Sequence, residues 1–63
     1  MTIYKLENAN GGRKYYISHF GKIYIDIAGT GIKKHTTIKS ESELQEHITK
    51  EVGNGFLLEV VRL

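Results

Sequence analysis

The chain has no cysteine and no proline among its 63 residues. Without cysteine there are no disulfides and no thiolate zinc sites. A chain this short buries only about 60% of the surface its unfolded form exposes, so its stability is marginal. Small domains often compensate with disulfides, a metal or a partner chain. Disulfides are excluded here, which raises the weight of oligomerisation. Absence of cysteine also fits a reducing cytoplasm. No apolar run approaches the roughly 18 residues of a membrane span. The segment Met1-Thr2-Ile3-Tyr4-Lys5 lacks the basic-then-apolar pattern of a signal peptide. The expectation is a cytoplasmic protein with no membrane contact. There is no linker, low-complexity tract or internal repeat, so residues 1–63 read as a single small domain. Its 40% hydrophobic content suits a folded chain.

What is present is an uneven division of charge. Residues 1–39 hold seven Lys and Arg against Glu7 and Asp26, and residues 40–63 hold Lys50 and Arg62 against five Glu. A basic half and an acidic half therefore underlie the net charge of +2. Such asymmetry points to an anionic partner for the basic half.

Residues 2–6 alternate weakly and favour a strand. Asn8, Asn10, Gly11 and Gly12 mark the loop that follows. Residues 13–18 and 22–28 read as a hairpin. A three-residue loop ends best on a residue at positive φ, where glycine costs least, and His19-Phe20-Gly21 supplies one. Ser18 then opposes Lys22, and Tyr16 opposes Tyr24. This register predicts an apolar face of Tyr15, Ile17, Ile23, Ile25 and Ile27. The other face carries Lys14, Tyr16, Lys22, Tyr24 and Asp26. Gly29-Thr30-Gly31 is a second turn, followed by a strand over 32–38. With Thr30-Gly31 as its loop, Ile38 joins Ile23, and Lys33 and His35 join the Tyr16 and Tyr24 face.

Ser40 with Glu43 fits a capping box that starts a helix. Leu44, Ile48 and Val52 form one apolar stripe, and Gly53-Asn54-Gly55 stops the helix. Residues 56–63 form a last strand that is apolar on both sides. Two-sided apolarity implies a central strand or one covered by a partner. The expected fold is α+β, a small antiparallel or mixed sheet in the order β-β-β-β-α-β with one helix on the isoleucine face.

The outer face suggests function. Tyr16 and Tyr24, flanked by Lys14, Lys22, Lys33, Lys34 and His35, suit nucleic acid. Bases stack on the rings and ammonium groups neutralise phosphates, or a short sheet enters the major groove. The bland alternative is that tyrosine pairs stabilise sheets and lysines prevent edge aggregation. A meander followed by one helix spans Lys14 to Val52, with Thr37-Ile38-Lys39 just before the helix. In architecture this resembles the arm-binding domains of phage and transposon integrases and the plant ethylene-response-factor domain. The resemblance implies DNA binding through the open face. Residues 56–63 add a strand that those domains do not require.

The remaining motifs read as structural. Gly29-Thr30-Gly31 lacks the third glycine and the Lys-Ser/Thr of a phosphate loop. His19, His35 and His47 lie on a turn, a strand and a helix without compact ligand spacing, so no metal is expected. No base stands beside a nucleophile in a concave site, so neither catalysis nor a cofactor is expected. The leading expectation is a non-catalytic nucleic-acid-binding protein. Its rival is a compact protein-binding regulator or inhibitor of the phage or mobile-element type. That protein would use the same face or an interface at Leu57, Val61 and Leu63, where an exposed apolar strip marks a contact surface. A homodimer is compatible with either reading.

Overall fold

The computed structural model describes residues 1–27, 31 and 34–63. The fold is α+β. Strands β1 (Thr2–Glu7), β2 (Arg13–His19), β3 (Lys22–Ile27) and β4 (Lys34–His35) precede helix α1 (Glu41–Gly53), and β5 (Leu57–Arg62) follows it. All four pairings are antiparallel, in the order β4-β3-β2-β1-β5. The chain thus leaves the sheet at one edge strand, β4, and re-enters at the other, β5, with α1 between them. The last strand pairs with the first along its length, from Thr2 opposite Arg62 to Glu7 opposite Leu57.

The β2–β3 hairpin differs from the sequence reading by one residue. His19 opposes Lys22, Ser18 opposes Ile23 and Tyr16 opposes Ile25. The loop is therefore two residues, Phe20 at φ 50° and Gly21 at φ 75°. Positive φ at both central positions is the type I′ turn, whose twist matches that of the strands. Because side chains alternate with period two, a one-residue slip turns one strand over relative to the other. Tyr16 moves to the helix face with Ile23 and Ile25. Tyr15 and Ile17 move to the open face with Lys22, Tyr24 and Asp26.

The core follows from this register. Tyr4, Leu6, Tyr16 and Ile23 from the sheet pack with Leu44 and Ile48 from α1. Leu6 and Leu44 are completely buried. Ile25, Ile38 and Phe56 pack at the margin of the cluster. Ile38 reaches it without opposing Ile23, whose carbonyl accepts instead from the Thr36 N–H at 3.2 Å. His35 opposes Tyr24 and Lys34 opposes Ile25, two residues from the expected register, which had His35 across from Asp26. The shift keeps the His35 position on the Tyr24 face, and the strand expected over 32–38 is confined to Lys34–His35 among the described residues. The turn at Gly29-Thr30 and the position of Lys33 lie outside the described residues.

The helix is capped as its sequence predicts. Ser40 is the N-cap, and its hydroxyl accepts from the Glu43 N–H at 3.2 Å. The Glu43 carboxylate reaches one residue further back than a capping box requires and accepts from the Lys39 N–H at 3.1 Å. Asn54 closes the other end, and Gly55 follows at φ 102°. Val52 is the exception to the stripe. It is exposed, while Leu44 and Ile48 are buried.

Candidate functional site

Three parts of the molecule bring chemistry-bearing residues together: the seam beneath α1, the open sheet face and the β5 edge.

Beneath α1, Tyr16 has its ring in the core and its hydroxyl at the helix margin. The hydroxyl lies 2.7 Å from His47 Nε2, and the two rings meet edge to face. His47 and Glu51, one turn apart on α1, approach to 3.4 Å, and Lys14 Nζ is 3.0 Å from the same Glu51 oxygen. The Lys14 ammonium also sits over the Phe56 ring, 4.8 Å from its centroid. Burial, and then the nearby Glu51 carboxylate, pushes the Tyr16 hydroxyl above its ordinary pKa. Tyr4 repeats the design one strand away. Its hydroxyl accepts from Gln45 Nε2 at 3.0 Å and lies 3.4 Å from Glu41 Oε2. Burial again raises its pKa, with Glu41 adding to the effect. Both tyrosines use an apolar body and a polar tip to join sheet to helix. Tyr16 is 3% exposed, so its ring offers no surface to a ligand.

This overturns the placement on which the tyrosine face depended. Tyr16 and Tyr24 lie on opposite sides of the sheet, and Lys14 is engaged with Glu51 and Phe56 under the helix edge. Of the expected nucleic-acid residues, Lys22, Tyr24 and the His35 position share the open face. Lys34 is at a helix-face position, and Lys33 lies outside the described residues.

The open face is built in rows that the strand register dictates. One row runs Val61, Ile3, Ile17, Tyr24. The next runs Glu59, Lys5, Tyr15, Asp26, and the one after it Leu57, Glu7, Arg13. Lys5 therefore stands directly across from Glu59, and Arg13 across from Glu7. Opposite charges in facing positions stabilise a sheet and cancel locally. Asp26 is buried, and its carboxylate accepts from the Gly31 N–H at 3.0 Å. Among the described residues, the open face is thus an apolar row bordered on one side by facing opposite charges and on the other by His19 and Lys22.

The third part is β5. All six of its residues are exposed, and its outer edge is the end of the sheet. Leu57 is 77% exposed and Leu63 75%, with Leu58, Val60 and Val61 also exposed. Helix α1 packs over β1 to β3, and Leu58 and Val60 of β5, on the same side of the sheet, stay 42% and 37% exposed. Of the two expectations for this strand, the central place is corrected here, because β5 ends the sheet. β1 lies beside β5 and not over it, so both apolar sides remain partly exposed. Leu57, Val61 and Leu63, the expected protein interface, do share one side of the strand by alternation.

The backbone of β5 can be assigned as well. Leu63 donates its N–H to the Met1 carbonyl at 2.8 Å, and its own carbonyl faces the Met1 amine at 3.4 Å. In an antiparallel pair such bonding residues alternate. Leu57, Glu59, Val61 and Leu63 therefore turn their backbone groups towards β1. Leu58, Val60 and Arg62 turn theirs outward. The sequence showed the apolarity of this segment, but only the strand order shows that it ends the sheet.

Among the described residues no group of three or more His, Asp or Glu is placed to hold a metal ion, and no helix is long and apolar enough to cross a membrane. Comparison with protein-family models, with curated proteins and with solved structures gives no match.

Proposed function

We propose that this protein is a small non-catalytic protein-binding module whose docking element is β5. One observation carries the reading. β5 is a six-residue, largely apolar edge strand whose apolar side chains are all at least 37% exposed, with Leu58, Val60 and Arg62 presenting backbone donors and acceptors outward. Soluble proteins normally protect such edges with charged side chains, proline, a bulge or a covering element. β5 has no lysine or proline; its charges are Glu59, which faces Lys5 of β1, and Arg62 near its end. An added strand satisfies the outward backbone groups and covers the flanking leucines and valines.

The nucleic-acid reading retains Tyr15, Tyr24 and Lys22 on the open face. It loses Tyr16 and Lys14, and the facing Lys5–Glu59 and Arg13–Glu7 positions weaken the field it needs. The two readings part in one pair of measurements. Generic single- and double-stranded oligonucleotides are titrated at low and moderate salt, and β5 engagement is compared between the native chain and V60P. Docking through β5 predicts no salt-sensitive oligonucleotide binding and a loss of protein association in V60P. Affinity for oligonucleotides that falls steeply with salt, with protein association unchanged by V60P, overturns the reading.

A further inference from the structure

The occupant of the β5 edge is a second copy of this chain: we infer that two β5 strands pair antiparallel about a two-fold axis, joining the two sheets into one. This rests on the reading of β5 as the docking element and names its partner.

One register lets β5 pair with itself without facing like charges while setting Leu57 against Leu63 and Val60 against Val60, with Glu59 across from Val61 and Leu58 from Arg62. A two-fold axis normal to the sheet keeps both helices on one side and places same-face residues opposite each other. Backbone pairing further requires that outward-facing residues meet outward-facing residues. Centring the axis on Val60 satisfies both conditions. Val60 meets Val60 of the second copy, and Leu58 meets Arg62 in both directions. All of these residues have outward backbone groups. On the open face, Leu57 then lies directly across from Leu63 of the second copy. These are the two most exposed apolar residues of the strand region, and the pairing covers each with the other.

Charge disfavours the neighbouring register on one side. Sliding one step towards the N-terminus puts Glu59 across from Glu59, two like charges in facing positions. Sliding one step towards the C-terminus puts Glu59 across from Leu63, a charged side chain against an apolar one. In the Val60-centred register the two Glu59 side chains stand on a diagonal, each with Lys5 of its own chain directly across. The pairing also suits the small core formed by Tyr4, Leu6, Tyr16, Ile23, Leu44 and Ile48, because a second copy adds apolar burial along β5.

On the opposite side of the sheet, Leu58 and Val60 from both copies come together between the two helices. The free edge of each sheet then becomes β4, which is only two residues long. Short edges resist further strand addition, so the assembly closes at two copies.

Two experiments on the full chain test this. The first is sedimentation across a concentration range, with V60P alongside. Val60 has its N–H outward, so proline there removes a donor from the new seam while sparing the ladder to β1. The pairing predicts twice the monomer mass for the native chain, and the monomer mass with an unchanged far-ultraviolet spectrum for V60P. The second is disulfide trapping, which the cysteine-free chain makes clean. In this register the Cβ atoms of position 57 and position 63 of the second copy lie about 4.5–5.5 Å apart, close enough to bridge after small adjustments. Mixing L57C with L63C and oxidising should give the mixed disulfide in excess over either like pair. A native chain that stays monomeric at high concentration, yet associates with a different protein in a V60P-sensitive way, overturns the self-pairing and leaves β5 as the docking element. A monomer that associates with nothing overturns both. Dimers with no preference for the 57–63 bridge overturn this register.

Discussion

Truncating Tyr16 to alanine should destabilise the fold by about 3–5 kcal/mol, the range for removing a large buried aromatic side chain. The ring is 3% exposed and packs with Leu44 and Ile48. Its hydroxyl lies 2.7 Å from His47, and that bond alone contributes about 0.5–1.5 kcal/mol. A chain of 63 residues has a total stability of about 3–9 kcal/mol by the usual per-residue figures. The Tyr16→Ala chain should therefore be largely unfolded. Tyr16→Phe keeps the ring and loses only the hydroxyl, so it should retain the fold with a loss of about 1 kcal/mol. Tyr15→Ala is the control. Tyr15 is half-buried on the open face, and its loss should cost about 1 kcal/mol, as for a typical substitution. Urea unfolding followed by far-ultraviolet circular dichroism gives all three values. A larger loss for Tyr15→Ala than for Tyr16→Ala would restore the three-residue loop and refute the register on which the faces depend.

Three further outcomes follow from particular contacts. Gly21→Val should lower stability by about 1–3 kcal/mol in thermal melts, because a β-branched residue tolerates φ 75° poorly, although the space around Gly21 is open. Ile48→Ala should cost about 2–5 kcal/mol, whereas Val52→Ala, one turn on and exposed, should cost less than about 1 kcal/mol; equal losses would mean that the stripe runs the length of the helix. Burial raises the pKa of Tyr4 and Tyr16 above the ordinary value of 10.0 in the folded state. Their contribution to stability is thus fully present below pH 10 and is lost as pH rises through the folded values. Melting temperature should fall above pH 10, and the fall should be shallower in Tyr16→Phe.

The order of elements, the Ser40 cap, the Asn54 stop and the burial of Leu44 and Ile48 were all legible in the sequence, because each rests on local chemistry. The hairpin register was not, and the reason is a single residue. Both candidate loops put Gly21 at positive φ. They differ in whether Phe20 also adopts it, and a bulky residue rarely does. Alternation could not arbitrate, because tyrosine has an apolar ring and a polar tip and fits either face. Lys14 misled for a similar reason. Its charge suggested solvent, but its partner Glu51 is on a helix 37 residues away in sequence. The two-sided apolarity of residues 56–63 was plain from the start. Its meaning depended on strand order, which follows from α1 carrying the chain from the β4 edge to the β1 edge.

Amide hydrogen exchange along β5, measured at low and high protein concentration, bears most directly on the account. Glu59, Val61 and Leu63 bond to β1 and should be protected at every concentration. Leu58, Val60 and Arg62 face outward and should be protected only as concentration rises and the second copy docks. Pairing of two β5 strands predicts an alternating, concentration-dependent pattern. Free exchange at Leu58, Val60 and Arg62 at all concentrations would contradict it.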